Sequence, residues 1–417
     1  MRRPTSAGLA ALAGVPAAGM QFAGALKSAP LLAGLPFDLT VACTAALAPG
    51  LLLLLAGARW RVRRVLGLPL ACCGLLWVWL VVAALWTASR DVAAAKLPEV
   101  VLVAPAMLLA GLVVGADGGA RRVLAGTVLV LGPFIGVSIA WGILHGQVVL
   151  GGAVGANPDL VRVQYQLAGL AIACSAGISA LRAVEACGVR RLGWLGLTAV
   201  LGVAGLLPGG RAGLLALGLA VTLAPAAHLW SAGRARAALG WVGAAVAAGG
   251  LGLLVLLADP SRAEGLRTLE RFTGDGIAAS ARPVLWAEAV RWAGETLPWG
   301  LGTGGFTIAA GNGERRGLYP HNHALEALAE GGVPGILLWL GAFGGGVALL
   351  VGRLRGLPEG AAGRLVALVL PVALSAMVST DLGNRMVWFA LGLALSAGLE
   401  AVPRGGPGGT PQEAVHG

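Results

Sequence analysis

Stretches of about 18 or more mostly apolar residues recur along the whole chain, and each is long enough to cross a bilayer as an α-helix. That repetition leaves few folds open. Only 12% of the 417 residues are charged, about half the share of a soluble domain. Long alternating polar and apolar patterns are absent, which argues against a membrane β-barrel. The fold class expected is an all-α polytopic membrane protein. Twelve spans are expected, near 7–26, 37–57, 65–87, 98–116, 123–145, 164–185, 192–209, 212–230, 238–258, 333–352, 364–380 and 386–402. Arg2 and Arg3 before the first run also suit a signal peptide. No convincing cleavage site follows, and eleven more spans favour a retained helix.

Basic residues in short loops mark the cytoplasmic side. With the N-terminus inside, the inner loops and tail hold 17 Arg and 5 acidic residues, and the outer side holds 13 basic and 14 acidic residues. The net charge of +11 is therefore a topology signal. It is scattered over short loops and forms no single patch, which excludes a nucleic-acid-binding reading. The chain then divides into spans one to nine (1–258), an outer loop (259–332), spans ten to twelve (333–402) and a disordered cytoplasmic tail (403–417) rich in Pro and Gly. The five cysteines fall in or beside apolar runs. They show neither a disulfide framework nor a metal pattern, and are read as small packing residues. The 68 glycines suit close helix packing in lipid.

The outer loop holds nine of the nineteen acidic residues and two of the five histidines, and a polar segment in so apolar a chain is where chemistry is expected. Residues 261–272 read either as a short helix on the membrane surface or as a solvated connector. From Ser280 a helix is expected, with Ser280 as N-cap and Pro283 in the first turn. Leu285, Trp286, Ala289, Trp292 and Ala293 form its apolar face. Arg291 can pair with Glu288 or Glu295 and is read as structural. Arg282 has no acidic partner at helical spacing, and a guanidinium beside helix N–H groups suits a phosphate; the alternative is a plain surface arginine. Pro298-Trp299-Gly300-Leu301-Gly302-Thr303-Gly304-Gly305 contains G-x-G-x-x-G without the preceding strand that dinucleotide binding needs. A tight turn that lets backbone approach a ligand or the membrane surface is expected instead.

Tyr319-Pro320-His321-Asn322-His323 closes the loop. Asn322 is a natural N-cap for a short helix 323–330, with Gly331 and Gly332 as its stop. His321 then stands before a helix N-terminus, where the dipole favours the neutral ring. It reads either as a structural histidine or as a general base. A metal site from His321 and His323 with Glu326 or Glu330 is disfavoured, because i, i+2 spacing does not put both rings on one helical face. Arg211 falls in the outer turn between the seventh and eighth spans with no acidic companion. It is either functional or snorkels to headgroups. Asp381 and Arg385, in the last outer turn, can pair with each other.

His321-Asn322, nine residues, then Gly332-Val333-Pro334-Gly335 resembles the H-[NSQ]-x9-G-x-x-[GTY] signature of the O-antigen ligase family, which O-antigen polymerases and protein O-oligosaccharyltransferases largely share. The resemblance extends over about 205–340. It takes in a Gly210-Arg211-Ala212-Gly213 turn similar to the family's Ser-Arg-Gly motif (with Gly210 in place of the Ser), an Arg opening a Trp-bearing helix, and the Gly-rich run before the His. It implies a glycosyltransferase-C-like membrane enzyme without cofactor or metal. That enzyme moves a glycan from undecaprenyl pyrophosphate to a glycolipid or polysaccharide acceptor at the outer face of the bacterial inner membrane. Arg211 and Arg282 would clamp the pyrophosphate and stabilise the leaving group. His321 would take the acceptor's hydroxyl proton, with Tyr319, Asn322 and His323 lining the substrate. A polymerase of repeat units is the alternative. A transporter is disfavoured, because the expected spans hold few acids and no internal repeat is visible.

Overall fold

The computed structural model describes residues 7–149, 161–259, 266–270 and 282–403. It is a bundle of α-helices with almost no sheet. Among the described residues, nine helices are long and apolar enough to cross a membrane. They are α2 (Leu39–Gly57), α3 (Arg64–Trp86), α4 (Arg90–Ala116), α5 (Gly118–Leu144), α6 (Tyr165–Glu185), α8 (Arg211–Ser231), α9 (Ala235–Leu257), α11 (His323–Gly356) and α12 (Ala361–Val378). The shorter apolar helices α1 (Ala7–Gln21) and α13 (Arg385–Gly398) and α7 (Gly188–Ala204) complete the bundle. Helix α10, in the polar loop between α9 and α11, runs Arg282–Glu295. The tail after Pro403, and Ser280, lie outside the described residues.

In lipid there is little hydrophobic drive between helices, so close backbone approach does the packing. The sequence supplies it with glycine. A Cβ on Gly111 of α4 would lie 2.1 Å from the Phe389 carbonyl of α13, and one on Gly392 of α13 would lie 2.2 Å from the Leu108 carbonyl. The Cα of Gly169 on α6 lies 3.1 Å from the Cβ position of Gly213 on α8. Cys72, Cys73 and Cys174 are buried and unpaired, as packing residues should be, while Cys187 is exposed. At the other extreme, α9 packs on α8 along one edge. Ala238 is its only buried residue.

Contacts between loops fall into two sets, one at each end of the bundle. Strand β1 (Ala58–Val62) pairs antiparallel with β2 (Leu399–Pro403), and Arg63 binds Glu400 at 2.7 Å. Arg364 reaches Glu185 at 3.4 Å. At the opposite end Glu314 meets Ser89, Arg316 meets Glu99, and Thr268 meets Gly209. None of these contacts joins a residue of one set to a residue of the other, so the alternation of helix directions is self-consistent. The largest early starts relative to the apolar runs are in α4, at Arg90 rather than 98, and α11, at His323 rather than 333. Lys96, Glu326 and Glu330 are thereby carried on membrane helices instead of in loops.

If the two sets face opposite sides, Cys187 and a cysteine introduced by Arg315→Cys label from opposite faces. With Cys43, Cys72, Cys73 and Cys174 replaced by Ala, a membrane-impermeant maleimide should modify one in intact cells and the other only after permeabilisation. Labelling of both from one side would break this topology.

Candidate active site

The site is organised around a break in α11. At Gly332 the backbone turns to φ 62 and ψ −154, a region that essentially only glycine enters. The helix therefore stops where the Gly331-Gly332 pair predicts and resumes at once as a membrane span. A break frees carbonyls that must find donors at membrane depth. The Gly-rich turn supplies them: Leu301 N–H donates to Ala329 O at 2.9 Å and Gly302 N–H to Glu330 O at 3.0 Å. In return Val333 N–H donates to Pro298 O at 2.9 Å. A Cβ on Gly302 would lie 2.7 Å from the Ala83 carbonyl, and one on Gly304 2.9 Å from Ala93 N. The glycines thus let this turn press against helix ends. Trp79 and Trp86 donate to the carbonyls of Gly331 (2.7 Å) and Gly300 (3.2 Å), and Thr303 to that of Leu80 (2.6 Å).

Helix α10 lies across this turn with Leu285, Ala289 and Ala293 buried, the face its apolar spacing predicts. Arg291 pairs with Glu288 at 2.5 Å and stacks over Trp292, so it is structural as expected. Trp286 Nε1–H donates to Pro320 O at 2.7 Å, tying α10 to the His321 segment. Arg282 Nη2 reaches Ser379 Oγ at 3.3 Å, and the Tyr319 hydroxyl donates to the Ser379 carbonyl at 3.2 Å. Ser379 caps the end of α12. Three segments distant in sequence thus meet at one residue that the sequence did not single out.

His321 sits between them. It is the only non-glycine residue with positive φ among the described residues (φ 55), a conformation uncommon for residues with a Cβ, though tolerated better by His than by most. Its ring lies against that of Tyr319, with centroids 4.0 Å apart and the planes tilted by 42°. Burial, and then the adjacent Arg282 guanidinium, hold its pKa below the usual histidine value, with a hydrogen bond to the Ser379 backbone and the charge of Asp381 pulling the other way. The ring is accordingly neutral at pH 7. Tyr319 is held above the usual phenol value, by burial first and then by the charges of Asp381 and Glu326, so it stays a hydroxyl donor. Asn322 accepts from Leu325 N–H at 3.1 Å and is the N-cap expected of it. His323, in contrast, is fully buried with its ring edge on Phe343. It presents no surface to a substrate in this structure.

Arg211 opens α8, and its turn is pinned by Thr268, whose hydroxyl accepts from Gly209 N–H at 3.1 Å. Residues 266–270 are therefore docked onto the Arg211 turn, with Leu269 buried against Leu206; a freely solvated connector does not describe them. None of the described hydrogen bonds or ion pairs joins Arg211 to Arg282 or His321. Its depth follows from register. Helices α8 and α12 pack side by side, and Gly363 faces the Ala224 carbonyl at 3.0 Å from its Cβ position. Equal rise along two antiparallel helices puts Arg211 level with about residue 376, one turn short of Ser379.

Two expectations need correction. Asp381 does not pair with Arg385; its cationic partner is Arg316, at 3.6 Å, which also binds Glu99 on α4. Nor are the spans free of acids near this end. Lys96 on α4 is buried between Glu326 and Glu330 on α11. One signal for that cluster lay in the sequence. Glu326 and Glu330 are i, i+4 on the expected short helix and so share a face.

Fold and site define a multi-pass α-helical membrane protein whose polar side chains converge above its spans at one end, under a helical loop. Residues 191–340 match the family model described as O-antigen ligase, so this segment is similar to that family. The match supports a membrane glycosyltransferase of O-antigen ligase or polymerase type, a kind of enzyme whose substrates are lipid-linked glycans. No curated protein matches the chain.

Gly332→Ala should destabilise the detergent-solubilised protein by about 2 kcal/mol or more, since it forces a side chain into a glycine-only conformation and against Pro298 O, 2.1 Å from the Cβ position. Gly294→Ala, helical and in open space, should be neutral or stabilising. Equal melting temperatures for the two would refute the role given to the break.

Proposed function

We propose that this protein transfers a glycan from undecaprenyl pyrophosphate to a sugar hydroxyl of a glycolipid or polysaccharide acceptor. The reaction takes place on the outer face of the cytoplasmic membrane, without a metal. Both termini face the cytoplasm, and residues 259–332 form the outer catalytic loop. The observation that carries this reading is the meeting of Arg282, Tyr319 and the neutral His321 at Ser379. An anion-binding fork and an unprotonated imidazole share one small space there.

In the reaction, the acceptor oxygen attacks the anomeric carbon. The bond from that carbon to the pyrophosphate oxygen breaks, and undecaprenyl pyrophosphate leaves with the bonding pair. His321 takes the hydroxyl proton as the new bond forms. Arg282, with Arg211 at the same depth on α8, holds the pyrophosphate and stabilises the charge gathering on it. Two guanidinium groups would do electrostatically what a divalent ion does elsewhere. Tyr319 and Asn322 shape the substrate side, Tyr319 through its ring under His321 and Asn322 as the cap that starts α11. The depressed pKa of His321 has a signed consequence. A base that must be neutral keeps activity as pH falls until its own pKa is passed, so the acid limb lies below about 6.5, the ordinary histidine value.

His321→Ala should abolish transfer at normal membrane levels. Arg282→Lys should be severely impaired, because a point charge does not replace a planar fork. Near-normal product from the first variant refutes the base, and full activity in the second refutes the clamp. The acceptor step is tested by deleting the gene and sizing the lipid-linked glycans. Long chains stranded on the carrier mean a ligase, and single repeat units mean a polymerase. Absence of any lipid-linked glycan refutes both.

A further inference from the structure

We propose that Lys96 is a positioning residue for His321, acting through Glu326 to hold both walls of the site in register. Resting on the reading of His321 as the base, the inference adds a residue far from it in sequence. Lys96, Glu326 and Glu330 are each 3% exposed or less. Lys96 Nζ binds Glu330 Oε2 at 2.5 Å and also contacts Glu326 Oε1. The second oxygen of Glu326 accepts from Leu382 N–H at 2.8 Å. Glu326 lies one turn beyond Asn322, and Leu382 lies three residues beyond Ser379. One carboxylate thus joins the His321 wall to the Ser379 wall, and Lys96 holds that carboxylate. One turn along α4, Glu99 binds Arg316, which reaches Asp381. Residues 96–99 are the common anchor of both walls.

Stability does not account for such a cluster. Well-packed apolar side chains usually serve at least as well as a buried ion pair. What the ions add is geometry: an ammonium between two carboxylates, one of them also fixed by a backbone N–H, admits one arrangement. Without Lys96, Glu326 has no cation, and the segments carrying His321 and Asp381 can shift relative to α10.

His321 faces Arg282 from α10, Asp381 from the last outer turn and Tyr319 in its own segment. Its titration therefore reports its place. The test is the rate at which diethyl pyrocarbonate modifies His321 as a function of pH in the purified full-length protein. The reaction needs neutral imidazole, is mapped by mass spectrometry, and has the exposed His145 as internal control. In the wild type the midpoint lies below the ordinary value of about 6.5. In Lys96→Met it should rise toward that value as His321 leaves Arg282. Turnover should fall about tenfold or more, with KM for the lipid-linked donor within about twofold. Glu326→Gln should behave the same way and Glu330→Gln much less, since only Glu326 reaches Leu382.

A wild-type midpoint and turnover in normally inserted Lys96→Met overturns the inference. So do equal effects of Glu326→Gln and Glu330→Gln on the midpoint, which would mark the cluster as general packing. Should Lys96→Met fail to insert, Glu326→Gln decides: a raised midpoint supports the inference and an unchanged one overturns it. An active His321→Ala instead refutes the base, and the modification midpoint still reports whether Lys96 positions the ring.

Discussion

A membrane helix that breaks must have its freed backbone groups satisfied by protein, because lipid offers none. The break at Gly332 is that constraint here. The carbonyls of Ala329 and Glu330 are capped by the N–H groups of Leu301 and Gly302, which obliges the 297–305 turn to lie against the end of the helix. That turn follows α10 directly, so the same hydrogen bonds that mend the break bring Arg282 and Trp286 over the segment leading into it. Asn322 starts the broken helix and Gly332 ends it. The polar residues between are therefore held in a rigid piece about ten residues long, at one end of the bundle.

That arrangement explains why so apolar a protein can hold charges at this depth. Lys96, Glu326 and Glu330 neutralise one another in part, and Glu326 takes a further hydrogen bond from Leu382 N–H. Arg316 is shared between Glu99 and Asp381. Each ion is bound to a different segment, so the network works as a set of cross-ties between α4, α11 and the turn after α12. His321 is the exception. Its backbone carries a conformation with a steric cost, and its ring is kept neutral by burial and by Arg282. In the proposed reaction that neutral ring is the form able to take a proton.

Much of this was legible in the chain. The apolar runs and the inner Arg bias led to the fold class, because length and charge are what a bilayer selects for. Asn322 as cap, Gly332 as break, the apolar face of α10 and the Glu288–Arg291 pair followed from local rules that involve only near neighbours. The Gly-x-Gly run was read for its freedom, with a ligand or the membrane surface as its target, and the packing against α3 and α4 was not foreseen: glycine reports that something comes close without reporting what. Asp381 was matched to Arg385 because they are near in sequence, whereas Arg316 reaches it across 65 residues of chain.

By itself, then, the sequence determined the membrane class and the concentration of polar residues in one loop, and it singled out His321, Arg282 and Arg211 as candidates. It could do so because hydrophobic length, charge bias and helix-end chemistry act over a few residues. Only the tertiary structure decided that Arg282, Tyr319 and His321 meet at Ser379, that His323 turns into the core, and that Lys96 lies between two glutamates. Those are contacts between segments separated by dozens to hundreds of residues. They depend on how helices cross and where one of them breaks, and no local pattern carries that information.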